Sequence, residues 1–396
     1  MSKRLLTLIV CGGLIISLSL GIRSGMGLFL KPMNADLNVG LGVIGFGIAI
    51  SNLLWGFASP FLGGIADRFG TMRVSIAGAL AYIAGMAVLA MSAGATEIIL
   101  SNVLTGIGIT GAGLSVVLGA VGRAAPPEKR TSALAIVSAT GSVGQFFMLP
   151  LSQGLLDAYG WSIALFVLAA IAALMLPLSL GLAGDRTMAA SSGQSFRQAL
   201  SEAAGTRGFW LLTAGFFVCG FHVVFVGVHL PGYLAEKAMP TWLAAWALGV
   251  VGLANIVGTL CAGWLGNRFQ KKSVLALLYL ARSAVFVMFL VVPLSVYSTF
   301  AFAFLLGLLW LSTVPLTSGL VAHIFGPAYM SMLYGIVFMS HQVGSFFGAW
   351  LGGLMFDMTG SYDVMWWVSV ALGVTAALLH WPISERPVAR LAAAAS

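Results

Sequence analysis

The chain repeats itself at an offset of 200 residues. Asp67-Arg68-Phe69 returns as Asn267-Arg268-Phe269, and Gly63 returns as Gly263. Val143-Gly144-Gln145-Phe146-Phe147 returns as Val343-Gly344-Ser345-Phe346-Phe347, and Asp157 and Gly160 return as Asp357 and Gly360. Each copy is strongly apolar. Two parallel copies of an apolar unit, joined head to tail, are expected to enclose a central site that each half exposes in turn. Composition decides the solvent. Of 396 residues 60% are hydrophobic and 8% charged, against about 25% charged in a soluble domain. So few polar groups cannot cover a water-facing surface, and lipid is the expected surroundings.

A helix crossing a ~30 Å hydrocarbon core needs about 20 apolar residues. Twelve such stretches are present, near 6–30, 42–65, 74–94, 97–121, 132–155 and 162–183, then 209–234, 242–265, 274–294, 299–322, 332–355 and 364–384. The polar stretch 184–208, with Asp185, Arg186, Ser191, Ser192, Gln194, Ser195, Arg197 and Gln198, separates an N-terminal six-helix bundle (1–183) from a C-terminal one (209–396). Met1-Ser2-Lys3-Arg4 and the run behind it are too long and lack the cleavage site of a signal peptide, so a retained first helix is expected. With the N-terminus placed in the cytoplasm, fifteen of the 19 Lys and Arg fall on that side. Lys31 and Lys237 fall outside, and Arg23 and Arg282 within spans. The positive-inside bias therefore predicts cytoplasmic termini. The net charge of +8 is a topology signal, and a nucleic-acid surface is not needed to explain it. The fold expected is all-α, twelve transmembrane helices in two pseudo-symmetric bundles, in the cell's inner (plasma) membrane.

The loop Gly63-x3-Asp67-Arg68-x-Gly70-x-x-Arg73, between spans 2 and 3, resembles the signature loop of the major facilitator superfamily. Thr71 and Met72 stand where that family often has basic residues. The second copy keeps Lys271 and Lys272 but has Asn267 for the acid and Gln270 for the second Gly. The resemblance implies transport by alternating access. Asp67 is placed to meet the positive end of a helix or a neighbouring Arg, and Arg68, Arg73 and Arg268 can pair with carboxylates or carbonyls. These four are the candidate conformational latch, closing the cytoplasmic side. Asp67→Asn is expected to slow transport with folding and insertion intact.

Ionisable groups within spans are expensive and default to function. No Asp or Glu lies deep in any span. Arg23 does, eight residues from Lys31, about 12 Å along a helix at 1.5 Å per residue. A guanidinium stays charged, so Arg23 is expected to meet a substrate anion, with Gly21, Gly25 and Gly27 leaving room around it. Arg282, in span 9, reads as a structural pairing, because the resemblance makes that helix peripheral. The histidines are the groups that titrate near neutral pH. His222 and His229 share one face of span 7 and His341 lies in span 11, so all three are proton-coupling candidates. His323 and His380 lie near span ends, where solvation is expected. Asn52, Asn102, Gln145, Asn255, Ser312, Thr313 and Tyr334 are the other polar groups that could line a path. Cys11, Cys219 and Cys261 lie in apolar runs without metal spacing and are expected to pack as small hydrophobes. Neither cofactor, metal site nor enzymatic triad is expected, and Gly106-x-Gly108-x-x-Gly111 is a packing match inside a span.

Gly27-x-Phe29-x-Lys31-Pro32-Met33 looks like the end of span 1 in the monocarboxylate porter and oxalate–formate antiporter branch. That resemblance implies a functional cation near Arg23 and a substrate-binding position at His341. It also implies an Arg in span 8, where this chain offers only Asn255, and Asn102 stands where many members have an Arg that aids proton coupling. One fixed cation with titratable histidines suits a monoanion moving with a proton. The substrate contacts expected are therefore Arg23, His341, Asn102, Asn255 and Tyr334, the partners a small organic anion, protons and the bilayer, and the working unit a monomer. Efflux of drugs or amphipathic compounds is the alternative, against which Arg23 argues. A membrane receptor or scaffold would need a soluble domain or long tail.

Overall fold

The computed structural model describes residues 2–39, 41–184 and 194–393, so Asp185, Arg186, Ser191 and Ser192 of the expected linker lie outside the described residues. Every regular element among them is helical. Ten segments are long and apolar enough to cross a membrane. One of these, Pro127–Leu180, runs to 54 residues and reverses at Gly160 (φ 75°, ψ 173°), so it makes two crossings. A further helix, Met330–Thr359, is 30 residues long and less apolar because it carries Ser331, His341, Gln342 and Ser345. Among the described residues twelve crossings result.

Contacts divide the chain into two compact units. The first comprises Met1–Pro126, Ile136–Phe196 and Pro327–Ile336. The second comprises Pro127–Ala135, Arg197–Gly326 and Val337–Ser396. The first unit's helices are α1 (Lys3–Ser24), α2 (Leu30–Leu37), α3 (Leu41–Phe69), α4 (Thr71–Ala90), α5 (Ala95–Gly111), α6 (Leu114–Ala124), α7 (Arg130–Ala172) and α8 (Met175–Leu180). Then follow the short α9 (Phe196–Ala204) and the second unit's α10 (Arg207–Glu236), α11 (Thr241–Arg268), α12 (Lys271–Val291), α13 (Val296–Leu309), α14 (Thr313–Phe325), α15 (Met330–Thr359), α16 (Asp363–His380) and α17 (Ala389–Ala393). The starts of α7 and α15 each belong to the other repeat's unit.

Three spans depart from the even helices expected. Span 1 stops at Ser24, tightens into a 3-10 turn over Gly25–Phe29, and resumes as α2. Spans 4 and 10, expected over 97–121 and 299–322, each break in the middle. The first breaks around Ala112 and Gly113 and the second over Trp310–Ser312. Gly111, Gly113 and Pro315 are the sequence signals nearest these breaks, since Gly and Pro weaken a helix interior. Conversely, spans 5 and 6 have no loop between them. Gly160 and Gly360 sit at φ 75° and φ 70°, in the left-handed region that glycine enters without steric cost. The duplicated turn thus rests on a duplicated glycine.

Close helix approach explains much of the remaining glycine. A Cβ on Gly144 would come within 1.9 Å of the Ser17 carbonyl oxygen, and one on Gly344 within 2.0 Å of that of Phe217. The second unit's core is aromatic, with Phe225, Phe286, Phe289 and Phe302 around Trp366. The surface is apolar where a soluble protein is polar. Phe61, Trp246 and Leu378 are 67%, 65% and 69% exposed, as lipid contact demands.

Candidate functional site

Arg23 stands in the last turn of α1, where basic residues interact well with the helix end. Its Nη2 donates to Asn52 Oδ1 of α3, and its guanidinium lies over the Trp55 ring, 4.8 Å from the centroid. The side chain is half-buried. Among the described residues no carboxylate forms an ion pair with it. The positive charge is held by a neutral amide and a ring face, which orient it without cancelling it. Asn52, noticed in the sequence only as a polar span residue, is therefore the positioning partner, because one helical turn brings it and Trp55 to the same face of α3. Gly25 and Gly21 are contact glycines. Their Cβ atoms would meet Ser152 Oγ at 2.9 Å and the Gly144 carbonyl at 2.7 Å, whereas Gly27 faces open space. The room expected around Arg23 is thus confined to Gly27.

The remaining candidates fall out as follows. Asn102 Nδ2 donates to the Ile98 carbonyl one turn back on its own helix, at 2.8 Å. Asn255 is buried, and its Oδ1 accepts from Leu311 N–H at 2.8 Å and from Thr259 Oγ1 at 3.2 Å. It caps the break in span 10. Tyr334 is fully buried in the first unit. His222 and His229 lie in the second unit's core. The Nε2 of His222 bonds the Ser369 carbonyl at 2.9 Å, and that of His229 bonds the Ala349 carbonyl at 2.8 Å. His341, also in the second unit, is buried against Phe338, with ring centroids 5.4 Å apart, and Phe216, at 5.0 Å. Its Nδ1 bonds Gln342 Oε1 at 3.1 Å. His323 is exposed. His380, expected to be solvated, is buried and stacks on Tyr279 at 5.0 Å, because α16 packs along α12.

Asp67 is buried at the end of α3. It pairs with Arg123 of α6 and accepts the backbone N–H groups of Ser331 (3.3 Å) and Met332 (2.8 Å) at the start of α15, within the first unit. Arg123 further donates to Thr71 Oγ1 at 2.9 Å and Ser331 Oγ at 3.3 Å. A carboxylate at a helix start, bound by a buried guanidinium, is a strong charge-assisted arrangement. In the sequence Arg123 is one of fifteen cytoplasmic cations. Its sole signal was a lone charge closing an apolar helix. Arg68 and Arg268 are exposed, laid over the rings of Phe69 (5.3 Å) and Trp264 (4.3 Å), and Arg73 is exposed.

The family model for the Major Facilitator Superfamily matches residues 10–314 and 244–395, so the chain belongs to the Major Facilitator Superfamily and is a multi-pass membrane transporter, not an enzyme. It is 25% identical to the uncharacterized MFS-type transporter YcxA of Bacillus subtilis, over 93% of this chain and 92% of that protein. Monocarboxylate transporter 13 of Bos taurus is 24% identical over 94% and 89% respectively. Among solved structures, the E. coli fucose:proton symporter FucP superposes with a TM-score of 0.75 at 18% identity, over 97% of this chain and 100% of that one. The proton:xylose symporter XylE gives 0.75 at 16% identity, over 99% of each.

Proposed function

We propose that the chain is a secondary transporter of a small organic monoanion, a monocarboxylate by class, that moves its cargo with a proton by alternating access, with both termini cytoplasmic. The observation that carries this reading is the Arg23 guanidinium, held by Asn52 and Trp55 with no carboxylate paired to it among the described residues. A fixed cation at low dielectric attracts an anion strongly. The monocarboxylate transporters among its relatives support the same cargo. His341 is the histidine assigned to charge adjustment, since its ring meets a side chain, Gln342, whereas His222 and His229 are each bonded to a backbone carbonyl. In this reading the Asp67–Arg123 pair at the start of α15 acts as the latch, with Arg68, Arg73 and Arg268 as supporting surface charges.

Uptake of labelled carboxylates into proteoliposomes tests it. Wild type is expected to accumulate a monocarboxylate under an inward proton gradient, and Arg23→Gln to lose that uptake while keeping its thermal stability. Unchanged uptake by Arg23→Gln, or accumulation of lipophilic cations instead, would refute the anionic cargo.

A further inference from the structure

In the first unit, position 19 faces position 82: the Tyr82 hydroxyl donates to the Ser19 carbonyl at 3.1 Å. The corresponding positions of the second unit are Cys219 and Arg282. They face each other there too. Cys219 Sγ lies 4.0 Å from the Trp310 carbonyl oxygen, and Arg282 Nη2 donates to that same oxygen at 2.8 Å. Nη2 also donates to the Leu309 carbonyl. A neutral pair in one repeat has become an ionisable pair in the other.

The Arg282 side chain is fully buried, and its Nε and Nη1 have no hydrogen-bond partner among the described residues. The carbonyls at the end of α13 offset part of its charge, but a guanidinium in apolar surroundings calls for an anion. Among the described residues no carboxylate pairs with it. The groups facing the sulfur are Arg282 and Tyr279 of α12 and His341 of α15, while His222, one turn along α10, faces Arg282. His380 of α16 stacks on Tyr279. The neighbour from α14, Thr313, is uncharged. Of the groups that can become anions, a thiol does so more readily than a phenol, about 8.5 against about 10 in water. Thr313 Oγ1 lies 3.1 Å from Sγ, and the His341 imidazole faces the thiol. With the Nδ1 proton of His341 given to Gln342 Oε1, the other ring nitrogen is an acceptor.

We propose that Cys219 is the intramembrane acid of this chain, a thiol that passes its proton to His341 and remains as a thiolate paired with Arg282. The S–H bond breaks, its electron pair stays on sulfur, and an N–H bond forms on the imidazole. Departure of that proton leaves two opposite charges, and its return restores the thiol. The ion pair does not depend on the cargo, whereas its use in coupling rests on the proton-coupled reading above.

The test uses full-length purified protein with Cys11→Ser and Cys261→Ser, so that Cys219 is the sole thiol. Thiolate ultraviolet absorbance and the infrared S–H band are followed against pH. The expected result is thiolate absorbance at neutral pH that disappears in Cys219→Ser and is displaced to alkaline pH in Arg282→Gln. Arg282→Lys, which keeps the charge, is expected to retain it and serves if the Gln variant does not fold. An S–H band that persists from neutral to alkaline pH in the parent overturns the proposal, whatever uptake shows. If the thiolate is present and Cys219→Ser flattens the pH dependence of uptake, the acid is also the coupling group. Should no carboxylate be transported at all, the monoanion reading fails while the thiolate titration still decides the ion pair.

Discussion

The two repeats cap the same two helix starts with different chemistry. In the first unit Asp67 accepts the N–H groups of Ser331 and Met332 and pairs with Arg123. In the second, Asn267 Oδ1 accepts Thr131 N–H at 3.1 Å and its Nδ2 donates to Ser132 Oγ at 2.6 Å. Every position is displaced by the same 200 residues. The place of Arg123 is taken by His323, which is exposed. Duplication kept the geometry of the cap and let the charge go. A charge-assisted cap is roughly twice as strong as a neutral one, so the two ends of the repeat are held with unequal strength. In the first copy the acid of this loop meets a buried cation, whereas the second copy carries a neutral amide at the same place.

Exchanging the caps breaks the comparison most severely. Asp67→Asn keeps a polar cap but strands the buried Arg123, and removing one partner of a buried pair costs roughly 3–5 kcal/mol. Thermal unfolding in detergent is expected to show that loss, so the variant should be unstable as well as slow. The repeated glycines come next. Gly144→Ala and Gly344→Ala each force a Cβ against a carbonyl, and overpacking of this kind costs roughly 1–3 kcal/mol. The two unfolding midpoints should fall together, and a fall in only one would show that the repeats pack unequally. Asn255→Leu leaves the Leu311 N–H without its acceptor at the span 10 break, for about 1–2 kcal/mol, read by the same melt. Asn267→Asp places an anion at a helix start, worth up to about 1 kcal/mol of added stability. A decrease instead would mean that the second copy cannot hold a charge even where the field favours it. Gly27→Ala, which meets nothing within 4 Å, should leave the midpoint unchanged and serves as the control for Gly21 and Gly25.

Much of the fold was legible. Apolar runs of spanning length and the repeat of Gly160 at Gly360 give the spans and the turn between each fifth and sixth helix, because lipid tolerates only backbone that satisfies itself. The breaks in spans 4 and 10 were not legible, since hydropathy does not register where a helix stops hydrogen-bonding inside an apolar stretch. Of the site, Arg23 announced itself by cost alone. Asn52 and Trp55 did not, being ordinary span residues until α3 lies beside α1. Arg282 looked peripheral in sequence and lies at the centre of a buried polar cluster, while Cys219, taken for a small hydrophobe, touches Thr313 and shares a carbonyl with that guanidinium.

The sequence by itself determined the solvent, the number of crossings and the duplication, since these depend on one-dimensional patterns of apolarity and repetition. Tertiary structure alone decided which charges are answered and which are not. Asp67 and Arg123 are 56 residues apart and become an ion pair, whereas among the described residues no carboxylate pairs with Arg23 or Arg282, which donate to neutral oxygens and lie over rings. Partnership depends on distances of a few ångströms between helices remote in the chain, and at low dielectric those distances fix the energy of every charge.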